Sequence, residues 1–228
     1  MATSSPILLI LGAGSNVGAS VAEAFSEKGY KIALASRTVK NEDSDTKDFH
    51  VVCDLSDPFS VPDVFKNVKE TLGIPSVVVY NASAAGRSSL EDPLATPLAD
   101  FSHGLNINTA SVYAAAQEAV KGFAELPAEA SRTFIYTGNV LNTKVFPPLF
   151  NLGVGKAATS HIIEYLAASY PFRGFKFYYA DQRKVDGSPQ YINIDGDAHG
   201  SFYVELAEIK SQGQWHQTFV KDLGYQRF

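Results

Sequence analysis

The stretch Leu149-Phe150-Asn151-Leu152-Gly153-Val154-Gly155-Lys156 sets a lysine behind two glycines, a pattern that invites phosphate chemistry. A phosphate loop also ends in Gly-Lys, but it needs a glycine five residues before that pair and Ser or Thr directly after it. Phe150 and Ala157 occupy those places, so Lys156 serves some other purpose. A second stretch, Gly12-Ala13-Gly14-Ser15-Asn16-Val17-Gly18, can turn tightly and bring backbone close to a pyrophosphate, whose charge a helix N-terminus favours. Its spacing departs from the usual G-x-G-x-x-G, and a plain strand-to-helix turn would use the same glycines. A third feature, Ser36-Arg37, lies about twenty residues further on, where an NAD site commonly carries Asp or Glu for the ribose 2′-hydroxyl. A guanidinium there binds a 2′-phosphate with paired, charge-assisted hydrogen bonds. Ser36 and Arg37 thus point to NADP(H), against the plainer alternative of an exposed surface arginine.

The elements that must position these residues follow from hydrophobic patterning. Short apolar runs at 7–11, 31–35, 50–53, 76–80, 133–137 and 175–180 are rich in β-branched and aromatic residues, as expected of buried parallel strands. Helices are expected over Val17–Lys28, Val61–Leu72, Leu98–Leu126 and Val154–Ser169, with Pro62 tolerated in the first turn of the second. Strands alternating with helices predict one Rossmann-type, doubly wound α/β domain over 1–228, with helices on both faces of a mainly parallel seven-stranded sheet. YINIDGD (191–197) reads as one more strand but follows FKFYYA too closely for a parallel crossover. Asp186-Gly187 between them signals a hairpin or tight loop. A helix from Ser201 to Gln212 then leads to QTFVK (217–221) as the last parallel strand. Residues 181–200 become an excursion over the ligand edge of the sheet.

Composition narrows the partners. The 228 residues carry a formal net charge of −5 and no basic run, which argues against nucleic acid. Residues 7–11 are too short an apolar run for a membrane span or signal peptide, and the single Cys53 fits a reducing compartment, so the expectation is a cytoplasmic protein. No residues are assigned to a metal.

Taken in order, the motifs resemble the classical short-chain dehydrogenase/reductase family over nearly the whole chain. That family's loop reads G-x-x-x-G-x-G; Gly12 and Gly18 match its ends and Asn16 replaces its middle glycine. The resemblance implies cofactor contacts from Gly12, Ser15, Asn16, Val17, Gly18, Ser36 and Arg37. It adds Asp54 and Leu55 in CDLSD, and Asn81 and Ala82 in YNASA, where Tyr80 and Ser83 depart from the family's Asn-Asn-Ala-Gly. It also places Asn108 at the catalytic asparagine and Lys156 at the lysine that binds the nicotinamide ribose and lowers the catalytic tyrosine's pKa. That tyrosine should stand four residues before Lys156, and a serine thirteen before the tyrosine. Leu152 and Asn139 stand there instead.

An asparagine amide can still donate to a substrate oxygen, but leucine can neither give nor take a proton. General acid–base help is worth ~10² to 10⁴ in rate. Lys156 is open to two roles, anchoring ribose or protonating an alkoxide if burial lowers its pKa. Among other phenols, Tyr178 or Tyr179, which end the sixth strand, is the best substitute, one on each face. His103 and His161 read as surface or packing residues, and Tyr136 as core. VFPPLF (145–150) reads equally as a greasy pocket wall or a packing loop. With Tyr191, Arg183, Lys184 and Asp195 in the excursion, the site suits a small organic molecule. Three functions stay open: an NADPH-linked oxidoreductase with a non-standard proton donor, a non-redox catalyst of isomerase or cyclase type, and a catalytically silent NADP-binding protein. The family resemblance also implies a homodimer through the helices carrying Ala114–Ala116 and Ala167–Ala168.

Overall fold

The computed structural model describes residues 5–38, 48–92 and 94–228. Among these residues seven parallel strands, β1 (Ile7–Leu11), β2 (Lys31–Ser36), β3 (Phe49–Val52), β4 (Val77–Tyr80), β5 (Thr133–Thr137), β6 (Lys176–Gln182) and β7 (His216–Val220), form the sheet. A two-residue antiparallel strand, β8 (Gly224–Tyr225), closes it, so the order is β3-β2-β1-β4-β5-β6-β7-β8. The eighth strand lies beyond the expected seven. The strand order reverses beside β1, and the crevice that ligands use in such sheets opens between the carboxyl ends of β1 and β4.

Helices cover both faces. α1 (Val17–Glu27) and α6 (Gly196–Glu208) pack over one core with Phe25, Tyr178, Phe202, Tyr203 and Phe219. On the other face α2 (Val61–Thr71), α4 (Ser111–Glu125) and α5 (Phe150–Ser169) bury Phe65, Phe123, Phe134 and a row of tyrosines, 80, 136 and 179. Parallel register aligns Tyr80 with Tyr136 and Tyr136 with Tyr179 across three strands.

Four expectations need correction. The helix foreseen over Leu98–Leu126 is instead α3 (Leu98–Leu105), a π turn over Asn106–Ala110 and then α4. A π turn breaks the regular hydrogen-bond ladder, and side chains supply donors here: Tyr80 Oη donates to the Ile107 carbonyl and Thr159 Oγ1 to that of Asn108, each at 2.6 Å. α5 starts at Phe150 rather than Val154, because a 3-10 turn over Pro147–Leu149 runs straight into it; Leu152 therefore sits in its first turn. α6 starts at Gly196 rather than Ser201, because Asp195 caps it, accepting from the Ala198 N–H at 3.0 Å. β6 runs on to Gln182, so Tyr178 and Tyr179 lie in mid-strand and not at its end.

The excursion is correspondingly short. Lys184 N–H bonds the Ser188 carbonyl and Gly187, at φ +80°, turns the chain, giving the hairpin foreseen at Asp186-Gly187. Residues 191–197 form no strand.

Candidate active site

The turn after β1 is built for close backbone approach. Gly12 has φ +90°, and a Cβ there would stand 2.5 Å from the Ala82 nitrogen, so only glycine fits. Asn81 Nδ2 donates to the Gly12 carbonyl at 3.0 Å, which makes Asn81 a brace for the loop. Gly14 has no atom near its would-be Cβ and faces open space. Among the described residues, the N–H groups of Ser15, Asn16 and Val17 have no acceptor. They stand where α1 begins, the arrangement that receives a pyrophosphate. Asn16, in the middle-glycine position, turns its side chain the other way: its Nδ2 donates to the Ile194 carbonyl at 3.0 Å and ties down the excursion. Gly18 lets α1 pack against Ala13, 3.1 Å from its would-be Cβ. The residues present fit a dinucleotide.

A cavity of about 650 Å3 extends from this loop past Ser36, Arg37 and Thr38, with Glu23 and Glu27 of α1 also lining it. Ser36 Oγ bonds the Thr38 carbonyl and shapes the turn, and Arg37 is exposed. Asp54 is exposed too; hydrogen bonds from Ser56 hold its carboxyl below the usual range, with Arg37 and His103 adding charge. Leu55 is buried and its carbonyl accepts from Ser111 Oγ at 2.7 Å.

The other end of the crevice is made by β5, α5 and the π turn. Asn108 is wholly buried there, and both ends of its amide are spent on the main chain of Ala84, at 3.0 and 2.9 Å. It fixes the segment after β4, with one amide hydrogen and one Oδ1 lone pair left over in a wholly buried position. Gly155 permits this packing, since a Cβ would lie 2.5 Å from that of Asn108. Lys156 is 3% exposed; its Nζ donates to the Thr137 carbonyl at 2.8 Å and lies 4.4 Å above the Tyr136 ring. Burial lowers its pKa to about 7, with Asp181 pulling the other way. Asn139 is half-buried, and its Oδ1 accepts from the Leu141 N–H at 3.0 Å. Leu152 is buried in the first turn of α5, and no tyrosine lies between Tyr136 and Tyr165.

Neither foreseen substitute phenol is placed as a proton donor. Tyr178 belongs to the α1/α6 core, its hydroxyl accepting from the Gly213 N–H at 3.4 Å. Tyr179 is on the correct face, but its hydroxyl donates to the Asn139 carbonyl at 2.7 Å. His103 and His161 are exposed and Tyr136 is core, as the sequence suggested. VFPPLF forms an apolar rim: Val145 is 93% exposed, and Phe150 stacks on Phe101 with centroids 5.9 Å apart. Beside it, a cavity of about 420 Å3 lies between Ala84, Arg87, His103 and Asn151.

Sequence reasoning missed a buried ion pair at the end of β6. Asp181 and Arg183 are 1% and 7% exposed, with Nε and Nη2 of the arginine 2.8 and 2.5 Å from one carboxylate oxygen. Arg183 had read as one of the excursion's charged residues; the Asp-x-Arg spacing, which sets both on one face of a strand, was the available signal.

Known proteins sharpen the picture. The family model described as enoyl-(acyl carrier protein) reductase matches residues 12–178. The short chain dehydrogenase/reductase dmxR12 of Cryptosporiopsis sp. (strain 8999) is 47% identical, over 99% of this chain and 96% of that protein. The NADH-linked enoyl-acyl-carrier-protein reductase 2 of Rhizobium meliloti (strain 1021) is 31% identical, over 72% of this chain and 60% of that one. In fold, a 3-oxoacyl-acyl-carrier-protein reductase from Brucella melitensis superposes with a TM-score of 0.78 at 17% identity, covering 90% of this chain and 91% of its own. An alcohol dehydrogenase from Thermococcus sibiricus, complexed with 5-hydroxy-NADP, gives 0.75 at 18% identity, covering 99% and 100%. With its glycine turn, buried lysine and parallel sheet, this chain belongs to the short-chain dehydrogenase/reductase family of oxidoreductases.

Proposed function

We propose that the protein is an NADP(H)-linked oxidoreductase acting on a small organic carbonyl or alcohol, with a lysine in place of the family's phenol as proton donor. The observation that carries this is Lys156: a buried amine whose pKa falls to about 7, held at the end of β5 two residues before Asn139. Bound NADPH would supply a hydride. The chain must then hold the carbonyl and deliver a proton to its oxygen. Asn139 Nδ2, which has no partner among the described residues, is a donor for that oxygen. The ammonium of Lys156 is poised near neutral pH, where proton transfer is most effective. Arg37 supports the choice of NADP(H) by offering a guanidinium where a 2′-phosphate would lie.

A cytoplasmic location belongs to the same proposal; no helix among the described residues is long and apolar enough to cross a membrane. So does a homodimer. Ala115, Ala116 and Ala167 pack into the protein's own core, so the outward surface of α4 and α5 is offered by Tyr113 and Tyr165, 52% and 65% exposed.

Leu152 favours the alternative of a non-redox catalyst or silent binder, since a leucine can neither give nor take a proton. NADPH absorbance followed with a panel of aldehydes, ketones and quinones decides between them. Turnover should occur, and Lys156→Met should abolish it. Cofactor bound but unconsumed, with substrate altered, would establish the non-redox reading.

A further inference from the structure

Tyr179 makes an arrangement that neither its burial nor its strand position requires. Its hydroxyl accepts from the Asn139 N–H at 3.1 Å and donates to the Asn139 carbonyl at 2.7 Å, so one phenol holds both main-chain groups of one residue. The ring lies directly over Gly138: a Cβ there would stand 2.1 Å from the ring. Gly138 is thus the residue that lets the phenol reach its neighbour. Tyr136, Trp215 and His216 surround the ring, with centroids 5.4, 6.5 and 5.4 Å away, and leave it little freedom to swing.

The consequence falls on the Asn139 side chain. With N–H and C=O clamped, the residue is fully extended, at φ −163° and ψ 179°. From there its amide caps the 3-10 turn over Val140–Asn142 by accepting from the Leu141 N–H. That partner is a donor, so the atom facing it is Oδ1, and Nδ2 is the end left over. A free asparagine presents either end by rotating its amide; this one has Oδ1 turned to Leu141 and Nδ2 left for another partner.

We infer that Tyr179 is a positioning residue, which fixes the Asn139 amide so that Nδ2 is offered to the substrate oxygen. Its own proton is committed to the Asn139 carbonyl, and burial pushes its pKa well up, so it stays a neutral strut. This rests on the proposed role of Asn139, and the test separates the two.

In the full-length protein, Tyr179→Phe keeps the ring and removes both hydrogen bonds. The Asn139 side-chain amide, assigned by its loss in Asn139→Asp, should give one sharp pair of proton–nitrogen NMR signals in the unmutated protein. In Tyr179→Phe that pair should shift and broaden. With a carbonyl compound that the unmutated protein reduces, kcat should fall about tenfold while KM stays within about twofold, since a misaimed group loses transition-state contacts first. The pH profile should keep its shape. p-Aminophenylalanine at 179, which retains a donor, should restore the signal and most of kcat, and it serves if Tyr179→Phe folds poorly. An unchanged amide signal in Tyr179→Phe would overturn the inference, and so would loss of a limb of the pH profile, which would make Tyr179 the proton donor. If the unmutated protein reduces nothing, the proposed function fails, and the NMR comparison still decides whether Tyr179 sets the amide.

Discussion

The two ends of the crevice depart from the family pattern in different ways. At the β1–α1 turn the middle glycine has become Asn16, yet the N–H groups of Ser15, Asn16 and Val17 still stand without acceptors at a helix start, and Asn16 has turned outward to hold Ile194. At the β5–α5 end the serine and tyrosine positions hold Asn139 and Leu152. Nothing in the backbone can stand in for a phenol's proton there. Recognition of a pyrophosphate is done by main-chain groups that every residue carries, so it survives a change of side chain provided the turn keeps its shape. Proton transfer depends on a particular side chain, and losing that side chain forces a new solution.

The largest test of that contrast places a phenol and a hydroxyl at those two positions. Leu152→Tyr combined with Asn139→Ser should raise the reduction of simple ketones by ~10² or more, the acid–base contribution of a phenol. Leu152 is buried, so the larger ring should also cost about 1 to 3 kcal/mol of stability, visible in urea midpoints. An inactive double variant that still binds NADPH would show a pocket reshaped for other work, in favour of the non-redox reading.

At the cofactor end the expected effect is smaller. NADPH should bind more tightly than NADH, and Arg37→Ala should erase most of the difference. Loss of one charge-assisted contact costs about 1.5 to 3 kcal/mol, or roughly ten- to hundredfold in affinity. Fluorescence titration of both cofactors measures it, and equal affinities in the unmutated protein would break the assignment.

The smallest effect is a slope. If the ammonium of Lys156 is the donor, ketone reduction should fall as pH rises through about 7 and approach a tenfold loss per further pH unit. Stability responds with the opposite sign. The unfolded chain keeps this proton up to about 10.5, the ordinary lysine value, while the folded chain releases it near 7. The unfolded state then binds more protons between those values, so this group's contribution to stability rises with pH across that window. Lys156→Met should flatten the rise in a series of urea midpoints, and a slope unchanged by that substitution would leave Lys156 charged throughout.

Much of the fold was legible because its signals are local. Short continuous apolar runs mark β1, β2, β4 and β5 almost to the residue, and Asp186-Gly187 marks the hairpin that keeps residues 191–197 out of the sheet. Boundaries failed where a side chain acts across a few residues, as with the Asp195 cap of α6, or where a turn feeds a helix without a break, as at Pro147. In the site, Lys156, Asn139 and Leu152 could be read by type and spacing, but their environment could not. The π turn at Asn108 depends on hydroxyls from Tyr80 and Thr159, which sequence places 27 and 51 residues away.

The sequence by itself determined a doubly wound sheet, a turn that admits a dinucleotide, and the absence of a phenol four residues before Lys156. These depend on alternation, on glycine's missing Cβ and on side-chain inventory, all properties of neighbouring residues. Only the tertiary structure decided that Lys156 would be dry enough for its pKa to fall to about 7, and that Asp181 and Arg183 would pair out of water. It also decided that the hydroxyl of Tyr179 would meet the main chain of Asn139, 40 residues away in the chain. Desolvation and hydrogen bonding between strands depend on which elements close over a group and in what register, and that is set when β6 docks beside β5 under α5.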